Sequence, residues 1–249
     1  MSPIQNIESI LGPVASAELH ELIEADAEKP LQRQGALHSQ LLGQFFAGFY
    51  VTPADKHLRK VALFQIARLH TFIERGVPIV ENRIECDTLD PQEIVRERLG
   101  GFIGFKWPVE MAPHMEVLLR EYHRAGYLDL SEMVIPTNGR TNPASYLELA
   151  ITESNTHAAC ALLELGASRE QVPAKEYVID HGGVVAVPAG EFETLVDALY
   201  GTLSSPMRIA IDEGVRRRLA IDMAAAIEEM RISVSHLPPD THARVRARL

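Results

Sequence analysis

The sequence predicts an all-α protein, and three observations support this prediction. Apolar residues recur at intervals of three and four along most of the 249 residues, which is the spacing of one face of an α-helix. Glycine and proline interrupt this pattern often, as at Gly76, Gly126 and Gly166, where short helices are expected to end. Hydrophobic residues make up 46% and charged residues 23% of the chain, which is typical of a folded protein with a core.

Residues 1–135 are predicted to form a helical N-terminal region. The helical spacing and the stops place helices over residues 3–12, 15–27, 31–50, 52–75, 90–99 and 113–125. Between the last two helices, residues 100–108 are predicted to be a loop, because they mix glycines with Phe102, Phe105 and Trp107. Residues 128–135 fit either a short extended piece or a turn of helix.

Residues 145–168 carry the most informative pattern, which is two short helices joined by a polar turn. Ala150 is small where the two helices would touch, and the polar residues 153–155 end the first helix. Gly166 is expected to end the second helix in the left-handed conformation. Helices of about 8 to 11 residues are marginal alone in water, so this hairpin must pack against a further layer. The residues that define it are Ser145, Leu147, Ala150, Leu162, Leu163 and Gly166.

At these residues the chain resembles an ankyrin repeat. Against the family pattern T-P-L-H-x-A, Ser145 stands at the Thr position, Leu147 at the Leu and Ala150 at the Ala, and residues 162–167 match the ending L-L-E-x-G-A. Tyr146 and Glu148 depart from the Pro and the His of the pattern. The alternative is an unrelated helical hairpin with a glycine cap. The resemblance implies helical hairpins stacked as an irregular ankyrin-like solenoid, with protein binding as the usual role.

The region 136–204 is therefore predicted to be an ankyrin-like helical-hairpin region. After the hairpin itself, residues 173–180 are interpreted as a helix, 184–187 as an extended piece and 188–204 as a helix. A weaker ending of the same kind, Phe-Ile-Glu-Arg-Gly-Val, lies at residues 72–77 and indicates a degenerate hairpin.

Residues 205–249 are predicted to hold a long C-terminal helix and an arginine-rich tail. Residues 208–249 carry a net charge of +2, whereas the rest of the chain carries −12. The helix over 212–232 places an apolar stripe on one side, and the stripe is predicted to be buried either as the end cap of a solenoid or across a homodimer. The stripe consists of Val215, Leu219, Met223, Ile227 and Met230.

Composition and motifs exclude several kinds of chemistry. A net charge of −10 argues against binding nucleic acid, and Arg216, Arg217 and Arg218 fan around the helix instead of forming a basic stripe. The stretch from His20 to Glu24 lacks the second histidine of a zinc-protease helix, and neither a nucleophile elbow nor a phosphate loop occurs. We therefore expect no metal, no cofactor and no catalytic residues. The start of the chain does not resemble a signal peptide, and no stretch reaches the length of a membrane span, so a cytoplasmic protein is expected.

The sequence thus predicts a scaffold or inhibitor of ankyrin-repeat-like type that binds another protein through a helical groove. Five residues are candidates for the contact: Glu153, Asn155, Phe102, Phe105 and Trp107. Two alternatives stay open. One is an enzyme whose site is assembled from distant helices, which a pocket with convergent titratable groups would favour. The other is an acidic decoy that blocks a nucleic-acid-binding protein, which acids clustered on one face would favour.

Overall fold

The computed structural model describes residues 2–44, 56–80, 90–105, 107–134, 143–167, 175–178, 184–187 and 195–235. Over these residues the chain is mostly helical, which confirms the all-α prediction. The α-helices are α1 (Pro3–Leu11), α2 (Pro13–Ala27), α3 (Leu31–Gln44), α4 (Lys56–Glu74), α5 (Pro91–Gly104), α6 (Ala112–Arg124), α7 (Tyr146–Thr152), α8 (Thr156–Leu165), α9 (Leu195–Leu199) and α10 (Ser205–Ser235). A 3-10 turn, Tyr200–Thr202, joins α9 to α10.

Two short antiparallel strand pairs accompany the helices. The first joins β1 (Met133–Val134) to β2 (Ala144–Ser145), so the extended interpretation of residues 128–135 is confirmed at its end. The second joins β3 (Lys175–Val178) to β4 (Val184–Val187), with Lys175 opposite Val187. The extended prediction for 184–187 is confirmed, but the helix predicted over 173–180 is wrong at β3. Tyr177 and Val178 in β3 and the three valines of β4 favour strands, and pairing outweighs the helical spacing.

Three helices end in the same way. Gly76, Gly126 and Gly166 follow α4, α6 and α8 with φ angles of 65°, 79° and 100°, which is the left-handed region. In each case the residue after the glycine donates its amide to the carbonyl five residues earlier, as in a Schellman motif. The three bonds are Val77 to Phe72 at 2.9 Å, Tyr127 to Tyr122 at 3.0 Å and Ala167 to Leu162 at 2.8 Å.

The helices contact one another along two rows. In one row α3 contacts α5, and α5 contacts α7; in the other, α4, α6, α8 and α10 contact one another in that order. At the N-terminal end, α1 and α2 contact each other and α4. The buried apolar side chains form a hydrophobic core that runs from Ile7 to Ile211. The helices of each row therefore cover one another, which is how short helices gain stability.

The hairpin predicted over 145–168 is confirmed as α7 and α8. Ser145 Oγ accepts from the Glu148 amide at 3.2 Å, and Glu148 Oε2 accepts from the Ser145 amide at 3.0 Å, which completes a capping box. Glu148 thus uses its own carboxylate at the position where the ankyrin pattern has histidine. Ala150 is fully buried, and Gly166 caps α8.

The loop predicted over residues 100–108 is wrong in its first half, because α5 continues through Gly104. A Cβ on Gly100 would contact Val134 Cγ2 at 3.4 Å and Leu149 Cδ1 at 3.7 Å. Neighbouring elements therefore pack onto the bare backbone of α5. That burial outweighs the roughly 1 kcal/mol by which glycine disfavours a helix.

The C-terminal helix begins before the predicted residue 212 and is buried on a different side. Met207, Ile211 and Gly214 are buried, α10 contacts α8, and a Cβ on Gly214 would lie 2.6 Å from Cys160 O. The prediction that the stripe is buried within the chain as an end cap is wrong, since its members are 40% to 65% exposed. The reason is that the stripe faces away from α8, which ends at Leu165. Within the described ranges no helix, α10 included, is long and apolar enough to cross a membrane.

Candidate functional site

A groove of about 500 Å³ lies where the segments after α4 and α6 approach the start of α5. Its position follows from the glycine caps, because Gly76 and Gly126 turn the chain away from the helices on the same edge of the molecule. The groove is lined by Pro78, Ile79, Pro91, Gln92, Val95, Ala125, Gly126, Tyr127, Asp129 and Glu132. Its wall combines apolar and aromatic surface with two carboxylates.

A buried histidine fixes one wall of the groove. His38 Nδ1 lies 2.9 Å from Val77 O, and His38 Nε2 lies 2.7 Å from the Tyr122 hydroxyl. A carbonyl only accepts, so Nδ1 carries the proton and Nε2 accepts from Tyr122. Burial lowers the pKa of His38 to about 4, which keeps the imidazole neutral at pH 7. The Tyr127 hydroxyl also donates to Val77 O at 3.1 Å, so two side chains, His38 and Tyr127, bind the segment that follows α4.

The two carboxylates give the groove a negative potential. Partial burial raises the pKa of Glu132, and the charges of Asp129 and Asp90 raise it further, while Arg96 at 4.0 Å opposes them. The pKa of Asp129 is lowered, because this carboxylate accepts from Ser131 Oγ at 2.6 Å and from the Ser131 amide at 2.9 Å. This wall therefore presents two carboxyl groups, Asp129 and Glu132, with Arg96 as a partial counter-charge.

A buried tyrosine adds an unsatisfied polar atom close to these acids. Tyr146 is 1% exposed, and its hydroxyl has no hydrogen-bond partner in the part of the chain that the structure describes. Burial raises the pKa of Tyr146 above its usual range, and the charges of Glu132 and Asp129 add to the shift. An unpartnered buried hydroxyl costs about 1 to 3 kcal/mol.

A second opening of about 540 Å³ lies on the other side of the segment that follows α6. It shares Gly126 and Asp129 with the first groove and reaches the glycine cap of α8, Gly166. Its full lining is His123, Gly126, Leu128, Asp129, Leu130, Ser131 and Gly166. Concave surface therefore continues from one glycine cap to the next along this edge.

Three of the five residues predicted to contact a partner are buried at the helix turns. Trp107 is 3% exposed and donates its indole N–H to Phe102 O at 2.8 Å. Asn155 is 1% exposed and donates to Ile103 O at 2.8 Å and to Phe105 O at 2.7 Å. These residues do come together, but they tie the end of α5 to the start of α8 and leave no face for a partner.

The other two predicted contact residues, Phe105 and Glu153, are half-buried at the same turns. Neither lines either of the two grooves. The groove residues Tyr127, Asp129 and Glu132 were not among the sequence candidates. One sequence feature could have indicated them, namely that they directly follow Gly126, where a loop leaves a helix end.

A second group of titratable residues lies between α4 and α6. His70 Nδ1 donates to Glu121 Oε2 at 2.5 Å, and His70 Nε2 is buried without a partner among the described residues. Burial lowers the pKa of the nearby His114, and the charges of His70 and Arg59 contribute. A carboxylate–histidine pair can act as a base only where substrate reaches the second nitrogen. His70 is 3% exposed, so this pair is packed against the helices and favours a structural role.

Metal binding has no support in the described ranges, where no group of three or more His, Cys, Asp or Glu could hold an ion.

A comparison of the chain with protein-family models, with curated proteins and with solved structures found no match. The ankyrin resemblance over residues 145–168 therefore rests only on the residues that match the pattern.

Proposed function

We propose that the hairpins form an irregular ankyrin-like solenoid and that the chain is a protein-protein interaction module. Its partner binds in the groove bounded by Pro78, Pro91 and Glu132. The observation that carries the proposal is this groove, which is concave, partly apolar and acidic, and which lies on the edge formed by the glycine-capped turns. Stacked helical repeats commonly bind partners on surfaces of this kind.

The two rows of helix contacts support the solenoid. Each helix of a row contacts the next helix of the same row, and α4, α6 and α8 end in the same Schellman motif. Such recurrence is expected when one supersecondary unit is repeated and each unit buries the face of the one before it. The glycines lie 50 and 40 residues apart, longer than the 33-residue ankyrin period, so the connecting segments would carry insertions.

The lining of the groove indicates the chemistry of the partner. Pro78, Pro91 and Tyr127 offer flat apolar surface for an extended segment, whereas Asp129 and Glu132 attract a lysine or arginine side chain. The net charge of −10 steers a basic partner toward the chain over a longer distance. We therefore propose an extended basic segment of another protein as the ligand.

A peptide-display selection on the full chain tests this proposal. We expect the selected peptides to contain lysine or arginine, and their affinity to fall about tenfold when Asp129→Asn and Glu132→Gln are combined. The control combines Asp222→Asn and Glu228→Gln, which removes the same two charges from the exposed part of α10. Selected peptides that lack basic residues would contradict the proposal. So would an affinity that falls equally in both variants.

A further inference from the structure

The second half of α10 extends beyond the other helices and strands that the structure describes. Arg218 of α10 still contacts the end of α8, because its Nη1 donates to Leu165 O at 3.3 Å. Every residue from Leu219 to Ser233 is exposed. At 1.5 Å per residue, the segment from Leu219 to the end of α10 is about 25 Å long.

This exposed half carries an apolar stripe that is separate from the side facing α8. Leu219, Met223, Ile227 and Met230 follow one another at steps of four, four and three residues, and each is at least 56% exposed. At 100° per residue, Leu219 and Met223 lie about 140° to 180° away from Gly214, which meets α8. The stripe is therefore not a continuation of the intramolecular contact.

We infer that this stripe, which begins at Val215, packs against the same stripe of a second copy of the chain. Burying roughly 100 Å² from each of its five side chains in both copies removes about 1,000 Å² of apolar surface. Flanking Ala220, Ala226 and charged side chains bring the total to about 1,200 Å², the lower end of stable interfaces. An isologous pair is the arrangement in which one stripe covers another of identical shape.

Charge argues for a second copy over a membrane surface. From Val215 to Ser233 the ionisable residues, all outside the stripe, have a net charge of +1; they are Arg216, Arg217, Arg218, Asp222, Glu228, Glu229 and Arg231. The three consecutive arginines already pair with Glu213, Glu164 and Asp222 of the same chain, so acids of this chain neutralise them. Helices that lie in a membrane interface carry lysine and arginine on the polar face, and cytoplasmic leaflets are anionic. The stripe is uncharged and would not attract the basic segment proposed for the groove. The two proposals are therefore independent of each other.

Analytical ultracentrifugation of the full chain tests this inference. At about 50 μM the wild type should sediment as a species of twice 27.6 kDa. Met223→Lys combined with Met230→Lys places two charges in the stripe and should give the monomer, with an unchanged circular dichroism spectrum because both residues are exposed.

The matched control combines Ile221→Lys and Ile232→Lys, which are 48% and 50% exposed on another side of α10. This variant should keep the wild-type mass. A monomeric wild type at 50 μM, or a control that dissociates as fully as the stripe variant, would overturn the inference. So would a wild type that is monomeric and co-sediments with phosphatidylcholine–phosphatidylglycerol vesicles.

Discussion

His38 makes the attachment of the segment after α4 depend on pH. This imidazole is fully buried, donates from Nδ1 to Val77 O and accepts at Nε2 from Tyr122, and the bond from Tyr122 requires the neutral ring. Burial lowers the pKa of His38 in the folded protein to about 4, below the usual histidine pKa of 6.5, so the unfolded chain binds the proton first as pH falls. The contribution of His38 to the free energy of unfolding is therefore fully present above pH 6.5 and is lost progressively between pH 6.5 and 4.

The predicted size of this effect is about 3 kcal/mol, from a pKa difference of roughly two and a half units. We expect His38→Gln to remove that part of the pH dependence, because glutamine can make similar hydrogen bonds without titrating. Denaturant unfolding at pH 7 and pH 4 measures the change for each protein. The control His20→Gln, at an exposed histidine, should behave as the wild type does. Equal losses for all three proteins would contradict the assignment.

At the scale of elements, Asn155 connects one helical hairpin to the next. Its Oδ1 accepts from the Ala158 amide at 3.1 Å and caps α8, while its Nδ2 binds the two carbonyls at the end of α5. We expect Asn155→Ala to reduce the free energy of unfolding by about 2 to 4 kcal/mol, because it removes a cap and leaves two carbonyls without this donor.

The exposed N-cap of α1, Ser2, provides the control for that prediction. Its hydrogen bonds with Gln5 lie at the surface, so Ser2→Ala should cost about 1 kcal/mol or less. Chemical denaturation of both variants gives the comparison. If Asn155→Ala costs no more than Ser2→Ala, the link between α5 and α8 contributes nothing beyond a helix cap.

Gly214 determines how closely α10 approaches α8. A Cβ at this position would lie 2.6 Å from Cys160 O and 2.8 Å from Leu163 Cβ, and neither atom can move without its backbone. We expect Gly214→Ala to destabilise the protein by about 1 to 3 kcal/mol through overpacking, even though alanine favours helix.

Gly201→Ala is the matched control for that change. No heavy atom lies within 4 Å of a Cβ built on Gly201, and its φ angle is not in the left-handed region. This substitution should be neutral or stabilise by up to about 1 kcal/mol. Thermal unfolding followed by circular dichroism distinguishes the pair, and equal midpoints would show that α10 does not need glycine at residue 214.

Helices with local start and stop residues could be predicted from the sequence, and those that depend on distant contacts could not. Ser145, Asn155 and Gly166 define α7 and α8 within their own segment, so the hairpin was predicted with its correct turn. The continuation of α5 through Gly100 depends on Val134 and Leu149, which lie more than 30 residues later. Helical periodicity located the stripe on α10, but it gave no information about which side meets α8.

At the scale of the whole molecule, the candidate site could not be predicted because it joins segments far apart in the chain. Residues 78–79 and 125–132 meet only after α4 and α6 have stacked and both glycine caps have formed. The aromatic residues around Trp107 suggested a contact surface, but their size makes them core residues instead. Fold class and hairpins thus follow from local patterns, whereas the groove follows from packing.

Hydrogen exchange of the full chain, with and without a selected basic peptide, tests the proposed groove most directly. The groove proposal predicts that the peptide slows exchange in residues 77–80, 91–95 and 125–132, because these segments line the groove or directly flank it. Exchange in the exposed half of α10, residues 219–233, should not change. Protection confined to the buried turn at residues 102–107, or to α10, would show that the partner binds elsewhere and would contradict the proposed function.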